Sequence, residues 1–97
     1  MPTYVILMNL TEQGAKDIKN APERVKASAK SLEAVGGKLI GFYLTMGEYD
    51  YVAITEAPSD EVGLIQLFGL AMAGNVKTTS MKAFSVEEFE GLLEKLP

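Results

Sequence analysis

The run Tyr4–Leu10, YVILMNL, is apolar at both odd and even positions and is ended by the turn-like Thr11-Glu12-Gln13-Gly14. Successive side chains of a strand point to opposite faces, so a strand built this way needs cover on both of them. The segment reads as a buried first strand, and it demands a layered fold with something above the sheet and something below. A chain of 97 residues, 47% hydrophobic, is one domain spanning 1–97 and can form a core without cross-links.

The remainder supplies the other layers. After a polar lead-in carrying Ile18, Asn20 is placed to cap a helix, Pro22 suits its first turn and Glu23 follows three positions after the cap, as in a capping box. Val25, Ala29 and Leu32 form one apolar stripe, and Gly36-Gly37 stops the helix. Lys38–Met46 and Tyr49–Glu56 read as two strands joined by a tight hairpin at Gly47-Glu48. Pro58 with Ser59 or Asp60 opens a second helix, predicted to be well buried through Leu64, Ile65, Leu67, Phe68, Ala71 and Met72, and Gly74-Asn75 ends it. Val76–Phe84 is a fourth strand, and Ser85-Val86-Glu87-Glu88 is a capping box for a short C-terminal helix. The order β-α-β-β-α-β defines an α+β, ferredoxin-like sandwich with an extra C-terminal helix, the helices covering one sheet face.

The other face then needs a cover. On the third strand Val52 and Ile54 point one way, and Tyr49, Tyr51, Ala53 and Thr55 the other. On the second, Ile40, Phe42, Leu44 and Met46 oppose Leu39, Gly41, Tyr43 and Thr45. The fourth offers Lys77, Thr79 and Met81 on one face. The tyrosine, threonine and methionine set is assigned to the side away from the helices, where it is too apolar for water. A second copy is the simplest cover, giving a dimeric α/β barrel with a cavity between sheet and partner or between sheet and helices.

Composition narrows the chemistry. A formal charge of -4, with Lys and Arg scattered singly, provides no basic stripe for a phosphate backbone, so nucleic acid is not an expected partner. Without Cys there is no thiol nucleophile or disulfide frame, and without His the commonest general base and metal ligand is missing. The glycine turns have neither dinucleotide nor P-loop spacing, so no cofactor is expected. No stretch is long and apolar enough to span a membrane and no basic leader precedes the first strand, so a soluble cytoplasmic protein is expected.

Three stretches, LTEQGAKDIKNAPERV, GGKLIGFYLTMGEYDYVAITEAP and GNVKTTSMKAFSVEEF, resemble the GYD domain family across almost the whole chain. Its Gly-x-Tyr-Asp signature matches Gly47, Tyr49 and Asp50. The resemblance implies a dimeric α/β barrel and brings no established reaction. The middle stretch is also similar to the effector-binding domain of leucine-responsive, feast-famine regulators. Such domains dimerise through their sheets and bind small effectors between subunits. Gly74-Asn75-Val76 departs slightly from their turn, and this chain carries no helix-turn-helix segment.

Tyr43, Tyr49, Asp50, Tyr51 and Met81 are the candidate ligand-binding residues, with Gly47 as the turn residue. In one reading Gly47 supplies a positive φ, Asp50 accepts backbone N–H groups and Tyr49 packs on a neighbouring strand. In the other, Asp50 is a base or ligand anchor and Tyr49 or Tyr51 donates to an enolate or carbonyl oxygen. Asp50 and Glu56 are roughly 20 Å apart along a strand, too far for joint acid–base work, and Glu48 with Asp50 lacks the oxygens a hard cation needs, so no metal is expected. Lys77 and Lys82 fall on opposite faces of the fourth strand, guarding its edge or reaching an anion. The first functional expectation is a homodimeric module binding a small molecule or another protein. The alternative is a cofactor-independent monooxygenase- or isomerase-like enzyme acting on a small aromatic or enol substrate, as the wider barrel superfamily implies. A purely structural subunit is the third.

Overall fold

The structure, a computed structural model, describes residues 1–97. Strand β1 (Thr3–Leu10) leads through a short helix α1 (Glu12–Lys16) and a 3-10 turn (Ile18–Asn20) to helix α2 (Ala21–Ala34). Strands β2 (Lys38–Leu44) and β3 (Tyr51–Glu56) follow, then helix α3 (Asp60–Ala73), strand β4 (Val76–Ala83) and helix α4 (Val86–Leu93). The four strands form one antiparallel sheet in the order β2-β3-β1-β4, the ferredoxin-like order, with α2 and α3 on one face.

Local chemistry sets most element ends. The Ser59 hydroxyl accepts from Val62 N–H to open α3, and Gly74, at φ 77, closes it in the left-handed conformation. At α4 the capping box is complete: Ser85 Oγ accepts from Glu88 N–H while Glu88 Oε1 accepts from Ser85 N–H. The expected box at α2 does not form, because Asn20 Nδ2 donates to Asp17 Oδ1 instead and leaves the helix start uncapped by a side chain. The turn-like Thr11–Gly14 segment winds into α1, with Thr11 as its cap. It clasps the end of α3 through Thr11 N–H to Asn75 C=O (3.1 Å) and Thr11 Oγ1 to Gly74 C=O (2.6 Å). The approach is so close that a β-carbon on Gly14 would collide with the Asn75 carbonyl oxygen.

Two expectations about faces are corrected. On β3 it is Tyr51 and Ala53 that face the helices, clustered with Ile6 and Met8 of β1, which leaves Val52 and Ile54 on the open face. Because β1 is apolar on both sides it gives no parity to its neighbour, and the small Ala and Ser side chains of α2 leave the space that the Tyr51 ring enters. On β2 a bulge between Leu39 and Gly41 inserts one residue, so Leu39 shares the helix-facing side with Phe42 instead of opposing it.

The hairpin is also looser than expected. β2 ends at Leu44 and β3 begins at Tyr51, with Thr45 N–H donating to Asp50 C=O (2.9 Å) around the four residues Met46–Tyr49. Nor is α3 well buried: its inner side packs Leu67 on the sheet, but Ile65, Phe68 and Met72 are 63%, 61% and 88% exposed.

Candidate functional site

The predicted site residues do not converge. Tyr43, 60% exposed, is on β2 and Met81, 46% exposed, is on β4. Both belong to the open face, but their strands are the two edges of the sheet, about 14 Å apart at ordinary strand spacing. The Tyr43 ring folds over Gly41, where a β-carbon would come within 2.9 Å of it. Tyr51 lies on the other side of the sheet, under the helices.

Tyr49 and Asp50 sit at the hairpin end, and the structure gives each a bonding role. Thr45 Oγ1 donates to the Tyr49 carbonyl. Asp50 N–H donates to Met8 C=O (2.9 Å) and Asp50 Oδ2 accepts from Leu10 N–H at 2.8 Å, so the carboxylate extends the β1–β3 ladder one step beyond its last backbone pair. Gly47, at φ 130, takes the conformation that a side chain would resist.

The fold brings together two sets of residues, one that joins Lys82 to Tyr4 and Asp60 and one that surrounds Tyr51. In the first, the Tyr4 hydroxyl donates to Asp60 Oδ1 at the start of α3, and Lys82 Nζ reaches Asp60 Oδ2 at 3.1 Å. Burial, reinforced by the Asp60 carboxylate, pushes the Tyr4 hydroxyl up to about 12, while the donated bonds from Tyr4 and Lys82 hold Asp60 below the usual carboxylate range. The second set lines a cleft of about 430 Å³ between the sheet and helices α2 and α3. Its floor is Ile6, Met8, Phe42, Tyr51 and Ala53, and its walls are mostly small residues such as Ala21, Ser28, Ala29 and Gly69. Tyr51 is 5% exposed and tilts against Phe42, ring centroids 5.1 Å apart, and its hydroxyl meets no hydrogen-bond partner.

The outer surfaces are equally distinctive. Val5, Leu7, Val52 and Ile54, all half-buried, run across the open sheet face beside the exposed Met81. Amphipathic α4 holds Phe89, Leu92 and Leu93 in solvent, and Leu96 just beyond it is exposed as well. No helix is long and apolar enough to cross a membrane.

These features define a class: a ferredoxin-like α+β domain with one sheet face covered by helices and the other bare. Two solved structures share that fold. FFRP-DM1 superposes with a TM-score of 0.54 at 21% identity, covering 87% of this chain and all of that one. A Thermus thermophilus protein superposes with a TM-score of 0.53 at 21% identity, covering 88% and 95% of the two chains. The particular family is the GYD domain family, whose model matches residues 4–93, and the chain belongs to it. A relative from Thermus thermophilus, a glutamine synthetase and cystathionine beta-lyase binding protein, is 34% identical over 89 residues, spanning 91% of this chain and 94% of the relative.

Proposed function

We propose that this chain is a homodimeric interaction module: two copies meet through their open sheet faces as a dimeric α/β barrel, and the outer row of α3 grips another protein. The observation that carries this reading is the presence of two separate apolar surfaces on opposite sides of one small domain. Val5, Leu7, Val52, Ile54 and Met81 are on the bare sheet, while Ile65, Phe68 and Met72 project from the far side of α3. Exposed apolar area of this extent marks association surfaces. A dimer closed through the sheets would leave both copies of the α3 row facing outward, making the assembly bivalent.

The relative that binds glutamine synthetase and cystathionine beta-lyase supports a protein as the outer partner. The test uses glutamine synthetase from the same organism as this chain, immobilised, with light scattering reporting the mass of the module. Leu7→Glu, on the bare sheet, is expected to yield monomers. Phe68→Asp is expected to stay dimeric and lose capture by at least tenfold, as removal of a central aromatic anchor does. A wild-type monomer would sink the dimer, and capture unaffected by Phe68→Asp would remove α3 from the interface.

A further inference from the structure

We propose that the cleft between the sheet and helices α2 and α3 binds a small, neutral, largely apolar molecule whose single hydrogen-bonding group meets the Tyr51 hydroxyl. The proposal is independent of the interaction module, since it uses neither the bare sheet face nor the outer row of α3.

Volume comes first. The cleft measures about 430 Å³, and ligand pockets commonly fall between about 300 and 1,000 Å³. The cleft opens to solvent, so its largely apolar lining faces water that an apolar ligand would displace. The walls keep the cleft open. Gly69 lies on the α3 side, and a β-carbon there would meet nothing within 4 Å. Glycine in the middle of a helix weakens it, so its presence calls for a local reason. Gly63, one and a half turns earlier, has such a reason in close packing, because a β-carbon there would touch the Tyr4 ring at 3.3 Å. Gly69 is exposed at the α3 rim of the cleft, and the missing side chain leaves the mouth of the cleft unobstructed there.

Ser28, Ser31, Gln66 and Asn75 also border the cleft, but the Tyr51 hydroxyl is the lining group that is buried without a partner. Tyr51 lines the cleft, is nine-tenths buried, and has an oxygen closed to solvent with no partner. A buried hydroxyl without a partner is unfavourable, and a ligand oxygen or nitrogen would satisfy it once the side chains that shut its oxygen off from solvent part to admit the ligand. Charge narrows the ligand further. Arg24 is the single ionised residue on the lining, and its Nη1 is already held by Asp17 Oδ2 at 2.8 Å and by the Asp17 carbonyl at 3.0 Å. With the one cation engaged and no carboxylate present, the lining matches a neutral phenol, alcohol, ketone or amide on a hydrocarbon body rather than an ion.

The probes are p-cresol and toluene, which differ only in a hydroxyl, titrated into the full chain by NMR chemical-shift perturbation. Wild type is expected to bind both saturably. In Tyr51→Phe the affinity ratio of p-cresol over toluene is expected to fall about tenfold, the worth of one buried hydrogen bond. Gly69→Leu, which adds bulk at the rim of the cleft, is expected to weaken both probes at least tenfold with circular dichroism unchanged. Without ligand, Tyr51→Phe is expected to melt at or above the wild-type temperature, since the hydroxyl has no partner to lose. No saturable binding by wild type, an unchanged ratio in Tyr51→Phe, or a lowered melting temperature for that variant would each overturn the proposal. Undiminished binding by a folded Gly69→Leu would do the same, and if that variant unfolds the Tyr51→Phe ratio decides alone.

Discussion

Asp50 stands where β1 runs out of backbone partners. Leu10 N–H points at a position from which β3 has already turned away, and the Asp50 carboxylate supplies the missing acceptor at 2.8 Å. Replacement by Ala would leave that donor unpaired in a half-buried setting, a loss of about 2 kcal/mol. Asn keeps one acceptor oxygen in nearly the same place and should lose less than half as much. Urea denaturation of Asp50→Ala and Asp50→Asn checks both, with exposed Glu48→Ala as a neutral control; an Asp50→Ala midpoint equal to wild type would mean that the bond does not contribute. The signature that gives the family its name thus contains a hydrogen-bond acceptor for a residue forty positions earlier. One of the two sequence readings of Asp50 was an acceptor of backbone N–H groups, but the identity of the donor depends on strand order and is invisible locally.

At the scale of elements, α3 is pinned to the sheet at its N-terminus by Tyr4, Asp60 and Lys82, and the pin responds to pH at both ends. Asp60 has a folded value below its unfolded one, so its contribution is present above the unfolded carboxylate value and is lost as the pH falls below about 4. Tyr4 is raised to about 12 from 10.0, so the folded state holds its proton after the unfolded state has released it. Stability from this group is intact below pH 10 and declines as the pH rises toward 12. Melting temperatures recorded against pH should therefore drop less steeply above pH 10 in Tyr4→Phe than in wild type, and less steeply below about pH 4 in Asp60→Asn. Parallel curves would show that the pin carries no linkage. Element order, the Ser59 and Ser85 caps and the Gly74 stop were legible because each rests on contacts within a few residues. The parity of β3 was not, since alternation states which residues share a face but not which face is inside, and the bulge after Leu39 reversed part of β2 without a local signal. A cavity between sheet and helices was one of the two places expected, but most of its lining was not legible, since small residues on α2 and a glycine on α3 come to border one space only once both helices lie on the same sheet face.

For the whole molecule the notable quantity is how little is enclosed. Seven of 97 residues are buried, while Phe84, Phe89, Leu92, Leu93 and Leu96 stand in solvent on and around α4. A chain of this length ordinarily encloses a larger core, and the molecule is elongated, with extents of 53 × 31 × 18 Å. The α4 capping box fixes a helix whose apolar side chains stand largely in solvent, and the second copy in the proposed dimer would complete that side. Each fully buried Leu or Phe contributes about 1.5–3 kcal/mol. Ending the chain after Phe84 should therefore raise the dimer dissociation constant by at least about 100-fold, read by sedimentation equilibrium. Ser85→Ala, which removes the cap and leaves the apolar row intact, should weaken the dimer by no more than about tenfold. A truncated chain as dimeric as the full one would detach α4 from self-association and leave its apolar row to the outer partner. Equal weakening by both variants would show instead that helix formation at α4, rather than the area it covers, limits assembly.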